Sequence, residues 1–168
     1  MRPGHRQRIG YALAAAFLVA CTPHVHAVPD ATDASLARVA EIHGAAGPWA
    51  VAGYRMGEHA LAVLGLPRGS FDLEVEHFSP REVQYSCIAD GAAAATGASL
   101  GKLNLAWSEA ARERTRTTFR RKSTGQSITL RVTASFAARF LDVPREKLQA
   151  VGRVVMTLPD DAIFEVVR

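Results

Sequence analysis

The nine residues Ile88–Thr96 are almost all alanine or another small residue. Alanine is the best helix former, and a helix with so little side chain belongs inside a molecule. Gly97 is placed to close it in the left-handed conformation. Gly91 interrupts the run of good helix formers. Whatever fold the chain adopts, other elements must bury this segment.

Those elements can be read on either side of it. Leu36, Val39, Ala40 and His43 recur at helical spacing, so a helix is predicted over Ala34–His43, with Asp33 or Ser35 as its N-cap. Gly44–Pro48 stops it, and Pro48 suits the first turn of a second helix over Trp49–Leu64, ended by Gly65 and Pro67. Phe71, Leu73, Val75 and His77 alternate with polar residues, as in a half-buried strand. Val83–Cys87 reads as another short strand ahead of the alanine run. Leu103, Leu105 and Trp107 repeat with a period of two. Arg114–Lys122 and Gln126–Thr133 form two strands around the turn Ser123-Thr124-Gly125. Ala134–Leu141 is a short helix, Pro144 opens another that runs to about Met156, and Phe164, Val166 and Val167 form a strand-like tail. Helices and strands alternate irregularly with a hairpin between them. The expected class is therefore α+β: one domain, with helices packed on a mixed or antiparallel sheet. With 48% apolar and 21% charged residues, the composition is that of an ordinary globular domain.

The first 27 residues read as an export segment, followed by a linker over 28–34 and the domain over 35–168. Arg2, Arg6 and Arg8 precede Ile9–Ala20, an apolar stretch of 12 residues that is short for a bilayer span. Leu18-Val19-Ala20-Cys21 resembles a lipobox, which would make Cys21 a lipidated first residue. Val25-His26-Ala27 instead offers small residues to an ordinary signal peptidase. Either way the domain is expected outside the cytoplasm, in the periplasm, attached to the membrane only if Cys21 carries lipid. The mature chain would keep 17 Lys and Arg against 16 Asp and Glu, so the basic pI of about 9.5 is no argument for nucleic acid. Arg112–Lys122 does carry six basic residues around Phe119, but a strand would set Arg112, Arg114 and Arg116 along one solvated face. Cys87 is then the only thiol of the mature domain, so an internal disulfide is excluded.

His43 ends a helix beside a glycine-rich turn, where it can face a pocket or simply favour the negative end of the helix dipole. Cys87 sits at or just before the start of the alanine-rich helix. That position stabilises a thiolate, the form that binds metal or attacks electrophiles. The alternative is a small buried apolar residue. Asp90 is one turn further on, where it can share a face with Cys87 or serve simply as a negative charge near the helix N-terminus. His59 and His77 read as structural, and His24 and His26 as weak metal donors at most. No dinucleotide fingerprint, phosphate loop, zinc-protease helix or nucleophile elbow is present.

Three segments occur in a fixed order: His43-Gly44-Ala45-Ala46-Gly47-Pro48, Gly53-Tyr54-Arg55, and Ser86-Cys87-Ile88-Ala89-Asp90 leading to Thr96-Gly97-Ala98-Ser99-Leu100-Gly101-Lys102-Leu103-Asn104. Over about Leu36 to Leu141 this order resembles the FmdE-like family, which takes its name from a component of formylmethanofuran dehydrogenase. That family reads His-Gly-His-x-Cys-Pro-Gly, Gly-Tyr-Arg, and Ser-Cys-x-x-Asp with Thr-Gly-Cys-x-x-Gly-Lys-x-Asn. The resemblance implies the family's domain fold. It also implies His43, Cys87 and Asp90 as metal ligands for zinc or another transition metal, and Tyr54, Lys102 and Asn104 as ligand-binding residues. Three family donors are missing: Ala45, Gly47 and Ala98 stand where the family has His, Cys and Cys. No cysteine follows Cys87, so the C-terminal cysteine ribbon of some members is not expected.

An exported protein would not meet the cytosolic cofactor methanofuran, so the dehydrogenase activity itself transfers poorly. The leading expectation is an exported binding module whose pocket holds a small anionic ligand or a weakly bound transition metal. Two alternatives stay open. One is a redox or group-transfer enzyme, with Cys87 as nucleophile or metal ligand, His43 as general base and Lys102 stabilising charge. The other is a non-catalytic assembly component that binds a protein partner.

Overall fold

The computed structural model describes residues 30–167. Cys21, His24, His26 and both cleavage readings lie outside the described residues. In chain order the elements are α1 (Ala31–His43), α2 (Pro48–Leu64), β1 (Leu73–Ser79), α3 (Val83–Thr96), β2 (Leu105–Glu109), β3 (Arg116–Arg121), β4 (Ser127–Val132), α4 (Ala134–Phe140), α5 (Leu148–Thr157), α6 (Asp160–Ile163) and β5 (Phe164–Val166).

The strands form one mixed sheet in the order β2-β1-β3-β4-β5. β1 and β2 are parallel, joined by α3 as the crossover; the other pairs are antiparallel. This is the expected α+β domain. Leu73, Val75, His77 and Ser79 of β1 point into the core, while the residues between them sit on the open face.

The alanine-rich helix is buried where expected, and glycine explains how. α2 and α3 cross so closely that a methyl group at Gly91 would overlap the Ala50 carbonyl, and one at Gly53 would overlap the Ile88 carbonyl. Gly91 is therefore the contact that lets two backbones meet. Along the pair, Gly53 faces Ile88 and Gly57 faces Ala92 and Ala95, so α2 and α3 run in the same direction. α1 touches both helices: His43 reaches Asp90 of α3, while Ser35 reaches Tyr54 of α2. The N-termini of α2 and α3 and the C-terminus of α1 thus share one end of the molecule. The C-termini of α2 and α3 share the other.

Several expectations are corrected. Val83–Cys87 is the first part of α3, not a strand. Its β-branched and aromatic residues suit a strand locally, but Tyr85, Ile88, Ala92 and Ala95 are buried at helical spacing, and that tertiary pattern wins. α1 starts inside the expected linker. Asp30, rather than Asp33 or Ser35, caps it by accepting from Asp33 N at 2.7 Å. Arg112–Arg114 is a 3-10 turn, so Arg112 leaves the expected strand face and pairs with Glu82 at 2.7 Å. His59 contacts Asp160 and packs against Phe164, and His77 is fully buried.

Candidate functional site

At the end formed by the N-termini of α2 and α3 lies a cavity of about 220 Å³. Trp49, at the second position of α2, builds its floor. The indole N–H donates to Phe140 O at 2.8 Å, and the ring packs edge-on against Tyr85 and Phe136. One side chain thereby ties α2, α3 and α4 together. Leu141, Val143 and Leu148 close the far side, and Val83 lines the first turn of α3. The polar wall consists of His43, Gln84 and Cys87.

His43 is the last residue of α1, and Gly44 after it takes the left-handed conformation, φ 84°. Its Nδ1 lies 2.8 Å from Asp90 Oδ2. A carboxylate only accepts, so Nδ1 carries the hydrogen and Nε2 is the ring nitrogen left for a ligand. Asp90 lies off the cavity wall and acts as the residue that orients His43.

Cys87 departs from expectation. α3 begins at Val83, so Cys87 lies in the second turn, beyond the reach of the positive helix end. Its S–H donates to Gln84 O at 3.0 Å. Burial, followed by the negative charge of Asp90, pushes the thiol up to about 12. The thiolate expected from the sequence is replaced by a neutral thiol.

Gln84 carried no mark in the sequence, because a glutamine in a helix is commonplace. In the structure it lines the cavity, and its Nε2 is buried with no hydrogen-bond partner. Such an orphaned donor costs about 1–3 kcal/mol, which an acceptor would recover.

Tyr54, Lys102 and Asn104 do not join His43 and Cys87, so the expected single pocket does not form. The Tyr54 hydroxyl is held among Ser35, Arg38 and Glu58. Lys102 Nζ donates to Gly97 O at 2.9 Å and to Gly69 O at 3.3 Å, so it closes the C-terminus of α3. Asn104 is buried, donating to Leu73 O and accepting from Ser99 N. Arg55 clamps the α5–α6 turn through Met156 O, Leu158 O and Asp160. Lys102, Asn104 and Arg55 thus satisfy backbone atoms, and Tyr54 satisfies side chains.

Related sequences of the family described as FmdE, Molybdenum formylmethanofuran dehydrogenase operon, match residues 42–165. The chain belongs to the FmdE family. Comparison with curated proteins found no match. The FmdE match takes in the whole cavity wall, from His43 to Leu148. Ala45 and Gly47, where the family pattern has His and Cys, stand on that wall, whereas Ala98 is buried beyond the other end of α3. The remaining donors do not fit a tight metal centre. His43 and Cys87 are two of the three or four that zinc takes, and among the described residues no group of three or more His, Cys, Asp or Glu is arranged to hold a metal ion.

Proposed function

We propose that this FmdE domain is an exported binding module whose cavity takes a small anionic ligand with an apolar body. The observation that carries this reading is Gln84, a residue of the wall of a cavity that also presents His43, whose Nε2 is buried without a hydrogen-bond partner. One carboxyl oxygen of the ligand would accept from Gln84, and the other would share a proton with His43 Nε2, on the ring that Asp90 orients. The apolar body would lie against Val83, Val143 and Leu148. Loss of donors at Ala45 and Gly47 leaves this wall suited to carbon rather than to a metal. The volume, at the small end for ligand sites, limits the body to about one ring or a short aliphatic chain.

Benzoate serves as probe: a flat apolar body with one carboxylate. Titration calorimetry is expected to give binding that disappears in both Gln84→Ala and His43→Ala. Equal affinity in both variants and the parent protein would overturn the reading, and so would no heat with benzoate or with butyrate.

A weakly held transition metal is the second reading, favoured because His43 and Cys87 share the wall. Zinc titrated into the protein and into Cys87→Ala separates the two: stoichiometric binding lost in the variant selects the metal. The enzyme reading has less support, because a thiol held at about 12 is a poor resting nucleophile.

A further inference from the structure

The end of the molecule opposite the cavity has a different surface. Three loops meet there: 65–72 after α2, 97–104 after α3, and 121–126 between β3 and β4. Lys102 binds the first two together through Gly69 O and Gly97 O, and its ammonium lies 5.1 Å from the centre of the Phe71 ring. Asp72 binds the third through Arg121 and Ser123. On this fixed platform Phe71 is 67%, Leu100 72% and Leu103 90% exposed.

Leu103 is the most informative of the three. Its φ is 53°, in the left-handed region where glycine or asparagine is cheaper. The fold thus holds a leucine in a costly backbone conformation and turns its side chain into water. Neither local geometry nor packing accounts for that choice.

The charge of the three loops is one-sided. They carry Arg68, Lys102, Arg121 and Lys122 against the single acid Asp72, which Arg121 neutralises at 2.9 Å.

The described chain begins at Asp30, the N-cap of α1. Cys21 is nine residues earlier, and a fully extended stretch of that length reaches about 30 Å. A tether fixes how far the domain strays from a membrane but not which face it presents.

We propose that this end rests on an anionic lipid surface, with Phe71, Leu100 and Leu103 entering the headgroup boundary and Arg68 and Lys122 facing lipid phosphates. Apolar side chains ringed by unneutralised cations fit such a surface. In that orientation the cavity faces away from the membrane, open to ligand. The proposal rests on the export reading of the N-terminal segment, which mass spectrometry of the mature N-terminus tests separately.

The test uses the full chain and vesicles of phosphatidylglycerol with brominated acyl chains, which quench tryptophan on contact. Reporters are Leu103→Trp and Leu100→Trp at one end and Val83→Trp at the cavity. Whichever way the N-terminal segment meets the vesicle, the readout is which end is quenched. The expected result is strong quenching at 100 and 103, little at 83, and loss of the difference with brominated phosphatidylcholine or in high salt. Equal quenching at both ends overturns the proposal. So does a concentration-dependent dimer in light scattering that Leu103→Ser dissociates without vesicle binding, which would assign the patch to a second copy of the chain.

Discussion

The two ends of the α2–α3 pair use family motifs in opposite ways. At the cavity end, polar atoms stay unpaired: the hydrogen bond of His43 uses Nδ1 alone, and Gln84 Nε2 has no partner. At the far end, Lys102, Asn104 and Thr96 give their polar atoms to the backbone and close α3. The same family pattern thus contains a half that keeps polar atoms unpaired and a half that spends them on the backbone. Polar residues of equal appearance in sequence differ in function according to whether the backbone already satisfies them.

The largest expected effect tests what holds the two ends apart. Gly91→Ala pushes a methyl group into the Ala50 carbonyl, backbone against backbone, where no side chain can yield. A loss of about 3 kcal/mol or more, or failure to fold, is expected in urea denaturation. An unchanged midpoint would mean that the helices do not pack this closely.

Cys87 sharpens the chemistry of the cavity end. A thiol at about 12, against an ordinary value of 9.0, holds about a thousandfold less thiolate near neutral pH. Alkylation by iodoacetamide at pH 8 should be slower than for free cysteine by that order. A rate equal to free cysteine would restore the thiolate and with it the enzyme reading.

His77 joins the sheet to the first turn of α3. It accepts from the Thr117 hydroxyl at Nδ1 and donates to Tyr85 O from Nε2. Burial holds it down to about 4 from 6.5, partly opposed by the Tyr85 carbonyl and the charge of Asp90. Because the folded value is depressed, the unfolded chain binds the proton first. Stability is full above pH 6.5, falls as the pH drops towards 4, and is then lower by about 3 kcal/mol. Denaturation midpoints measured across that window check this, with His77→Gln expected to flatten the profile.

At the far end, Asn104→Ala removes two backbone partners in a buried site. About 2 kcal/mol of stability should be lost. Benzoate affinity should not change, since Asn104 lies off the cavity wall. A coupled loss of affinity would dissolve the distinction between the ends.

Where chain chemistry and final structure agree, the elements were legible. Pro48 and Gly65 bound α2, Gly97 closes α3, and Ser123-Thr124-Gly125 turns β3 into β4, because proline and glycine carry backbone preferences of their own. Val83–Cys87 was not legible, since its strand-like residues become helical only through what they pack against. His43 and Cys87 could be picked out by residue type, whereas the role of Asp90 as orienter depends on α1 folding back 47 residues to meet it. Lys102 and Asn104 bond to carbonyls of the fold, and a sequence does not display which carbonyls will need a donor. Gln84 left no trace, for its significance lies in a partner it lacks.

Gln84 therefore supports the smallest and most discriminating prediction. Replacing an unpaired buried donor with an apolar residue of similar volume removes a desolvation cost without losing a hydrogen bond. Gln84→Leu should raise stability by about 1 kcal/mol while abolishing benzoate binding. The two readouts move in opposite directions only if the donor is kept for a ligand, a trade of stability for function seen where binding sites leave polar groups exposed to their targets. A fall in stability would show that Nε2 has a partner in the free protein. It would then resemble Lys102, and the cavity would lose the group that most favours an acceptor.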